Sequence, residues 1–144
     1  MASHPHELFP GAGIKRPAIT ETSFASEEAC NTAKEFYAGL LGILPNTARP
    51  PYLFPVVFEV ALLLVVSDDG IARTTTYWEL TDNTSSNLDN VYKELKNKYK
   101  CRDVKAPHKP SYAALLKSNT EICSLLDPSG SLFGLVINPP IPLV

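Results

Sequence analysis

Two consecutive stretches of the chain show the same order of secondary-structure elements, and this repeat limits the possible folds more than any other feature. In each stretch of about 60 residues, a strand pattern is followed by an amphipathic helix and then by further strands. Each such unit can bury one face of its sheet against its own helix. The opposite faces can then enclose a pocket. The sequence therefore predicts an α+β fold in which two similar units share one binding site.

The first repeat contains a helix with recognisable ends. Ser26 fits an N-cap, and Glu27 and Glu28 follow where the helix dipole favours negative charge. Apolar residues then recur at steps of three and four, and Gly42 fits a C-cap. A strand pattern over residues 18–26 precedes this helix. The stretch that follows it is predicted as a proline-rich loop or poor edge strand at 45–55 and as one or two strands at 56–66.

The second repeat has the same order. The pattern predicts a strand at 74–80 and a helix at 88–99. Strands are then predicted at 112–117, 121–126 and 131–137. A turn, Asp127-Pro128-Ser129-Gly130, leads into the last strand, because aspartate and proline favour turn entry and glycine accepts a positive φ.

Length and composition limit the classes of function. The chain has 144 residues, 44% of them hydrophobic, which suffices for one core. Residues 1–17 are predicted as a loosely ordered lead and 18–144 as one domain, with modules at about 18–70 and 71–140. The net charge of −2 and the absence of a basic stripe disfavour nucleic acid as a partner. No apolar run could span a membrane and no signal pattern is present, so we expect a cytoplasmic protein with three free thiols.

Two motifs resemble those of the vicinal oxygen chelate superfamily, which includes glyoxalases, bleomycin-binding proteins, fosfomycin-resistance enzymes and extradiol dioxygenases. Glu35-Phe36-Tyr37 followed by Leu40-Leu41-Gly42 is similar to the Phe-Tyr then Leu-Gly helix ending of that family. The segment from Asp127 to Phe133 resembles its final Asp-Pro-Asp/Glu-Gly-Asn turn. The resemblance covers residues 18–140. It implies paired βαβββ modules forming a cupped mixed sheet with the helices outside, and often a homodimer.

The resemblance also implies where a metal would bind. Metal-using members place histidine, histidine or glutamine, and glutamate on inward strand positions. By the motifs, these positions fall at or next to Glu21, near Thr75 and at Gly134. Only Glu21 could bind a divalent ion, and the chain has three histidines, none at these positions: His4, His6 and His108. We therefore expect no metal and no other cofactor.

Strand alternation assigns the residues that face the predicted pocket. If Glu21 points inward, Ser23 shares its face, and the residues on either side of Ser23 pack toward the helix. On the matching strand the inward residues are Thr75, Tyr77 and Glu79, with Trp78 in the core. A register slip of one residue would instead turn Glu79 to solvent.

The inward carboxylates suggest acid–base chemistry. Burial in an apolar pocket raises the pKa of a carboxyl group toward neutrality, which suits a general base or acid. Glu21 is the leading candidate for the base, and Glu79 is the second carboxylate of the predicted catalytic set. Tyr77 would donate a hydrogen bond to a substrate oxygen that gains charge.

Further residues are predicted to bind substrate, each with an open alternative. Tyr52 and Phe54 form an apolar wall or lid, or ordinary edge packing. His108 is a proton carrier at the mouth, or a surface residue between two prolines. Tyr112 is a hydrogen-bond donor, or a packed aromatic side chain. The predicted substrate-binding set is Ser23, Tyr52, Phe54, Thr75, His108, Tyr112 and Gly134.

The predicted function is metal-independent lyase, isomerase or cyclase chemistry on an oxygenated, fairly apolar small molecule. The alternative is a non-catalytic protein that binds and sequesters a small ligand, as the bleomycin-binding members of the resembling family do. A metal-dependent glyoxalase or dioxygenase is disfavoured by the ligand count. We expect a small-molecule ligand and a homodimer, whose candidate contacts are the proline-rich edge and the tail at 139–144.

Overall fold

The computed structural model of the chain describes residues 13–54, 60–115 and 117–140. Within these ranges the chain forms seven strands and three helices. In chain order they are β1 (Ile14–Phe24), α1 (Glu27–Leu41), β2 (Tyr52–Phe54), β3 (Ala61–Val66), β4 (Arg73–Leu80), α2 (Ser85–Lys98), β5 (Arg102–His108), α3 (Ser111–Leu115), β6 (Glu121–Leu126) and β7 (Leu132–Ile137).

The seven strands belong to one mixed sheet in the order β2-β3-β1-β4-β7-β6-β5. β1 and β3 are parallel, whereas β2–β3, β5–β6 and β6–β7 are antiparallel. A parallel pair requires a crossover connection, and α1 lies in the connection between β1 and β3. The mixed sheet and its helices confirm the predicted α+β class.

In the second repeat, β4 and α2 are followed by three strands, as predicted in number, and β6 and β7 match two of the predicted strands. The other strand, β5, lies outside the stretch predicted as a strand, and the helix α3 separates it from β6. In the first repeat, the described residues contain two strands after α1 rather than three. The short β2 lies at an edge of the sheet, where the prolines around it cost no ladder hydrogen bond. Part of the strand prediction for 56–66 is confirmed by β3, and residues 55–59 lie outside the described ranges.

Both long helices begin behind a capping side chain. Ser26 accepts a hydrogen bond from the backbone N–H of Ala29 at 3.1 Å, and Thr84 caps α2 in the same way. α1 ends at Gly42, whose φ of 70° requires the left-handed region that glycine tolerates best. The predicted caps of α1 are confirmed. No helix in the described ranges is both long and apolar enough to cross a membrane.

Internal contacts divide the chain into two compact units, and each is described by itself. The first unit is built on Ala18–Tyr77, and the second on Trp78–Pro139 together with the start of β1 up to Pro17. In the first unit α1 packs on the sheet through Cys30, Tyr52, Phe54 and Leu64. In the second unit the core is formed by Leu80, Leu88, Val91, Tyr92, Cys101, Cys123, Leu125, Leu135 and Ile137.

The chain between α2 and β6 differs from the prediction. The described residues of the stretch 112–117 form no strand: 112–115 belong to the short helix α3, and 117 lies in a turn. A short apolar run does not distinguish a strand from a helix, so periodicity gave the wrong result here. The strand β5 was not predicted, because it contains a proline at 107. The sheet tolerates this proline because β5 is an edge strand.

Two further predictions are corrected near β1 and β4. β1 begins at Ile14, inside the segment predicted as a loose lead, whereas residues 1–12 lie outside the described ranges. Trp78, predicted to be in the core, is 37% exposed.

The apolar stripe of α1 is also wider than a single core face needs, because Phe36 and Leu40 are exposed.

The turn before β7 forms as predicted. Oδ1 of Asp127 accepts hydrogen bonds from the backbone N–H groups of Ser129 at 2.8 Å and Ser131 at 3.0 Å. Gly130 has a φ of 95°, a conformation that strains other residues. The hydrogen bond from the Ser129 side chain is the main cause that lowers the pKa of Asp127.

Candidate functional site

Hydrogen bonds and packing in the first unit fix which way the residues of β1 and β4 face. The hydroxyl groups of Thr22 and Thr74 lie 3.4 Å apart, so these two side chains share a face of the sheet. Phe24 packs against the cluster that α1 forms, and this face is therefore the helix side. Because strand side chains alternate, Glu21, Thr75 and Tyr77 occupy the opposite face. This is the face assignment that the sequence predicts for them.

Glu21 lies among apolar neighbours on that face. Its Cα partner across the parallel pair is Leu63, which is fully buried, and Ile19 two positions earlier is also fully buried. Thr75 and Tyr77 are buried as well. Glu21 itself is only half-buried. The face therefore presents one partly accessible carboxylate beside two hydroxyl-bearing side chains.

Ser23 shares this face but its hydroxyl is used within the fold. Ser23 Oγ accepts a hydrogen bond from the N–H of Arg73 at 3.0 Å and is placed to donate to the carbonyl of Ile71 at 3.2 Å. These bonds hold the end of β1 to the start of β4. We therefore assign Ser23 to the framework of the site rather than to the substrate contacts.

Glu79 lies in the second unit and is buried, so the alternative in which it points to solvent is wrong. Arg16 Nε is 3.0 Å from Glu79 Oε1, and Asn83 donates from Nδ2 to Oε2 at 3.1 Å. Lys15 adds a second positive charge at 3.8 Å. Oε2 of Glu79 thus accepts a hydrogen bond, whereas Oε1 lies in an ion pair with Arg16. Sequence reasoning missed Arg16, because it placed this residue in the loose lead.

Tyr52 and Phe54 do not join Glu21. Both pack with Cys30 on the helix side of the sheet, which supports the edge-packing alternative. The Tyr52 hydroxyl donates to Asn31 Oδ1 on α1 at 2.6 Å, and burial is the main cause that raises the pKa of Tyr52. The structure therefore places these two residues in the core under α1.

The remaining predicted residues belong to the second unit. His108 ends β5 opposite Ile122 and is half-buried, with Nδ1 2.8 Å from the carbonyl oxygen of Ala106. Tyr112 is buried in α3, and Gly134 is buried on β7 opposite Ser124. Their roles toward a substrate stay predictions.

The side chains at the three ligand positions do not fit a metal site. A divalent first-row ion needs imidazole, thiolate or carboxylate ligands. Glu21 supplies one carboxylate, Thr75 only a hydroxyl, and Gly134 no side chain. Among the residues with described positions, no group of three or more histidine, cysteine, aspartate or glutamate side chains is arranged to hold an ion.

Comparison with known proteins defines the fold. No family model and no curated protein matches the chain. Methylmalonyl-CoA epimerase from Mycobacterium tuberculosis has a similar structure, with a TM-score of 0.62, 16% identity, and coverage of 94% of this chain and 95% of that one. A glyoxalase/bleomycin resistance protein/dioxygenase superfamily member from Vibrio splendidus matches with a TM-score of 0.54, 16% identity, and coverage of 83% and 96%.

A third match is to a larger protein. The E323L mutant of homoprotocatechuate 2,3-dioxygenase from Brevibacterium fuscum gives a TM-score of 0.63 at 18% identity, over 96% of this chain and 36% of that one. At these identities the likeness concerns the fold. The chain thus has the vicinal oxygen chelate fold of the glyoxalase/bleomycin resistance/dioxygenase superfamily.

Proposed function

We propose that this chain is a metal-independent enzyme that transfers protons on an oxygenated, fairly apolar small molecule, with a lyase, isomerase or cyclase outcome. Glu21 is the general base, Tyr77 donates a hydrogen bond to the substrate, and Thr75 helps to orient it. The observation that carries the proposal is the placement of these three side chains on the face of β1 and β4 opposite α1.

The chemistry follows from the types of group on that face. A carboxylate beside fully buried apolar residues is suited to remove a proton from a carbon next to a carbonyl group, because water competes less for it. Negative charge then develops on the carbonyl oxygen, where a hydroxyl donor such as Tyr77 stabilises it. If the proton returns to another position of the substrate, the reaction is an isomerisation. If a neighbouring group departs instead, the reaction is that of a lyase. One structural neighbour is named methylmalonyl-CoA epimerase.

The partial exposure of Glu21 matters to the proposal. Glu79 is buried and lies in an ion pair with Arg16, so its carboxylate is less accessible to a small molecule. Glu21 is only half-buried. We therefore place the general base at Glu21 and give Glu79 a structural role.

Exchange of carbon-bound hydrogen with solvent tests this proposal without knowledge of the natural substrate. The purified chain is incubated in heavy water with a panel of 2-oxo acids, 2-hydroxy ketones and acyl thioesters, and the loss of the proton signal is followed by NMR. Glu21→Gln should slow the exchange by about 100-fold or more. Tyr77→Phe should cause a smaller loss, and Glu35→Gln, an exposed carboxylate on α1, should cause none.

The alternative function is distinguished in the same experiment. A compound that raises the melting temperature of the chain without exchanging its hydrogens indicates a binding protein that sequesters its ligand. Exchange that proceeds equally in Glu21→Gln contradicts the assignment of the base.

A further inference from the structure

The face of the first unit that carries Glu21 is not buried evenly along its strands. At one end Ile19, Ala61 and Tyr77 are almost completely buried. Further along, Glu21 is half-buried, and so is Val65, which lies on the same face of β3 one step beyond it. This face therefore becomes accessible in the direction in which β1 ends.

Arg73, the first residue of β4, lies at this accessible end. Its backbone N–H donates to Ser23 Oγ at 3.0 Å, which places Arg73 beside Ser23 on the neighbouring strand. Thr74 shares the helix side with Thr22, so alternation puts Arg73 on the opposite face, the one that carries Glu21. Two residues of a strand span about 7 Å, and this is the separation of Ser23 from Glu21 along β1. The Arg73 side chain therefore starts one strand step from the proposed base.

The guanidinium group of Arg73 is accessible and already holds one carboxylate. The side chain is 40% exposed, and Nη2 lies 3.0 Å from Oδ2 of Asp69 while Nη1 lies 3.4 Å from Oδ1. Two parallel contacts of this kind are the forked geometry in which arginine recognises a carboxylate. The hydrogen bond from Arg73 is the main cause that lowers the pKa of Asp69. A guanidinium has more N–H donors than the two that Asp69 uses, so a second carboxylate can bind beside it.

The turn between β3 and β4 has other supports than this ion pair. Oδ1 of Asp69 also accepts the backbone N–H of Ile71 at 3.1 Å, and Gly70 supplies a positive φ of 71°. Ser23 holds the backbone of Arg73 and not its side chain. An exposed ion pair adds little to stability, because water already solvates both charges. The guanidinium group can therefore serve a ligand, and a variant without it should still fold.

We propose that Arg73 binds a carboxylate group of the substrate, which makes the substrate a small 2-oxo acid with an apolar side chain. This inference rests on the proposed function, since it names the substrate class for the face that carries Glu21. A carboxylate that approached Glu21 alone would be repelled by the like charge, and the positive charge of Arg73 offsets this repulsion. Among the described strand residues of 18–77, Arg73 is the one basic side chain. The apolar part of the acid contacts Val65.

Calorimetric titration of the full chain tests the carboxylate contact without any turnover. The probes are the 2-oxo acid that corresponds to leucine and its methyl ester, which has a similar shape but no charge. The unmodified chain should bind the acid about 10-fold or more tightly than the ester, because hydrogen bonds to a charged group are the stronger kind. Arg73→Met should remove this difference by weakening the binding of the acid alone. Arg73→Lys should restore part of it, since lysine keeps the charge but lacks the fork.

The matched control is Lys34→Met, which removes one positive charge from α1 on the helix side of the sheet. The Lys34 ammonium lies 5.8 Å from the centre of the Tyr52 ring, and Tyr52 packs in the cluster under α1. This variant should bind both probes as the unmodified chain does, and circular dichroism melts show that each variant is folded. Three results would each overturn the inference: equal binding of acid and ester by the unmodified chain, binding of neither probe, or a preference for the acid that survives Arg73→Met.

The solvent-exchange experiment separates this inference from the proposed function. If Glu21→Gln abolishes hydrogen exchange in the acid while Arg73→Met leaves the KM for the acid unchanged, the base is correct and the carboxylate contact is wrong. If the acid binds through Arg73 but exchanges no hydrogen, the carboxylate contact is correct and the proposed function is wrong.

Discussion

Removal of the Arg16 guanidinium should destabilise the chain measurably, because it takes away the main partner of a buried carboxylate. The Glu79 side chain is only 6% exposed, and Arg16 Nε lies 3.0 Å from its Oε1. The test substitution is Arg16→Met, which removes the charge and keeps an apolar side chain of similar length. After it, Glu79 retains the amide of Asn83 at 3.1 Å and the more distant ammonium of Lys15 at 3.8 Å.

The size of the loss follows from the exposure of the pair. Breaking a fully buried ion pair by removal of one partner costs about 3–5 kcal/mol. The Arg16 side chain is 29% exposed, so solvent already screens part of the interaction, and two partners of Glu79 remain. We therefore expect the free energy of unfolding to fall by about 2 kcal/mol. Urea unfolding near neutral pH, followed by circular dichroism, measures this loss.

The comparison that decides the point uses a second arginine pair of equal length. Arg73 lies 3.0 Å from Asp69, but both side chains are well exposed. Arg73→Met should therefore lower the free energy of unfolding clearly less than Arg16→Met does. An exposed ion pair stabilises the fold little, because water already solvates both charges. If the two variants lose the same stability, burial of Glu79 is not what makes its ion pair important, and the assignment of Glu79 to the framework fails.

Three further predictions concern stability and thiol chemistry. Ser23→Ala should lower the free energy of unfolding by about 1–2 kcal/mol in urea titrations, because the N–H of Arg73 loses its acceptor; no loss would contradict the framework role of Ser23. The three thiols should react with a thiol reagent only after unfolding, since all are buried and burial raises the pKa of Cys123 to about 12; fast reaction of the native chain would contradict this. Burial, with a smaller effect of the nearby Glu27 charge, raises the pKa of Cys30 from 9.0 to about 11. Between these two pH values the folded state keeps a proton that the unfolded state loses, so the free energy of unfolding should fall as the pH rises through this interval. Unfolding measured across it should show a weaker pH dependence for Cys30→Ala than for the unmodified chain.

Local features of the fold could be predicted from the sequence because a few adjacent residues determine them. The caps of α1 at Ser26 and Gly42 follow from side-chain hydrogen bonding and from a positive φ. The turn at Asp127 follows from the same physics. The face shared by Glu21, Thr75 and Tyr77 was predicted because alternation along a strand fixes relative orientation once one residue is placed.

The rest depends on contacts between distant parts of the chain. The pairing of Arg16 with Glu79 joins residues far apart in sequence, and no local pattern indicates it. Tyr52 and Phe54 have the composition of a ligand wall and of a core strand alike, and only their position under α1 decides between the two.

The central claim is that Glu21 performs proton transfer without a metal ion, and the rate of solvent exchange before and after treatment with a chelator tests it most directly. The account predicts a rate that the chelator leaves unchanged, that added zinc, manganese or iron does not raise, and that Glu21→Gln abolishes. A rate that disappears with the chelator and returns with one equivalent of metal per chain would contradict it.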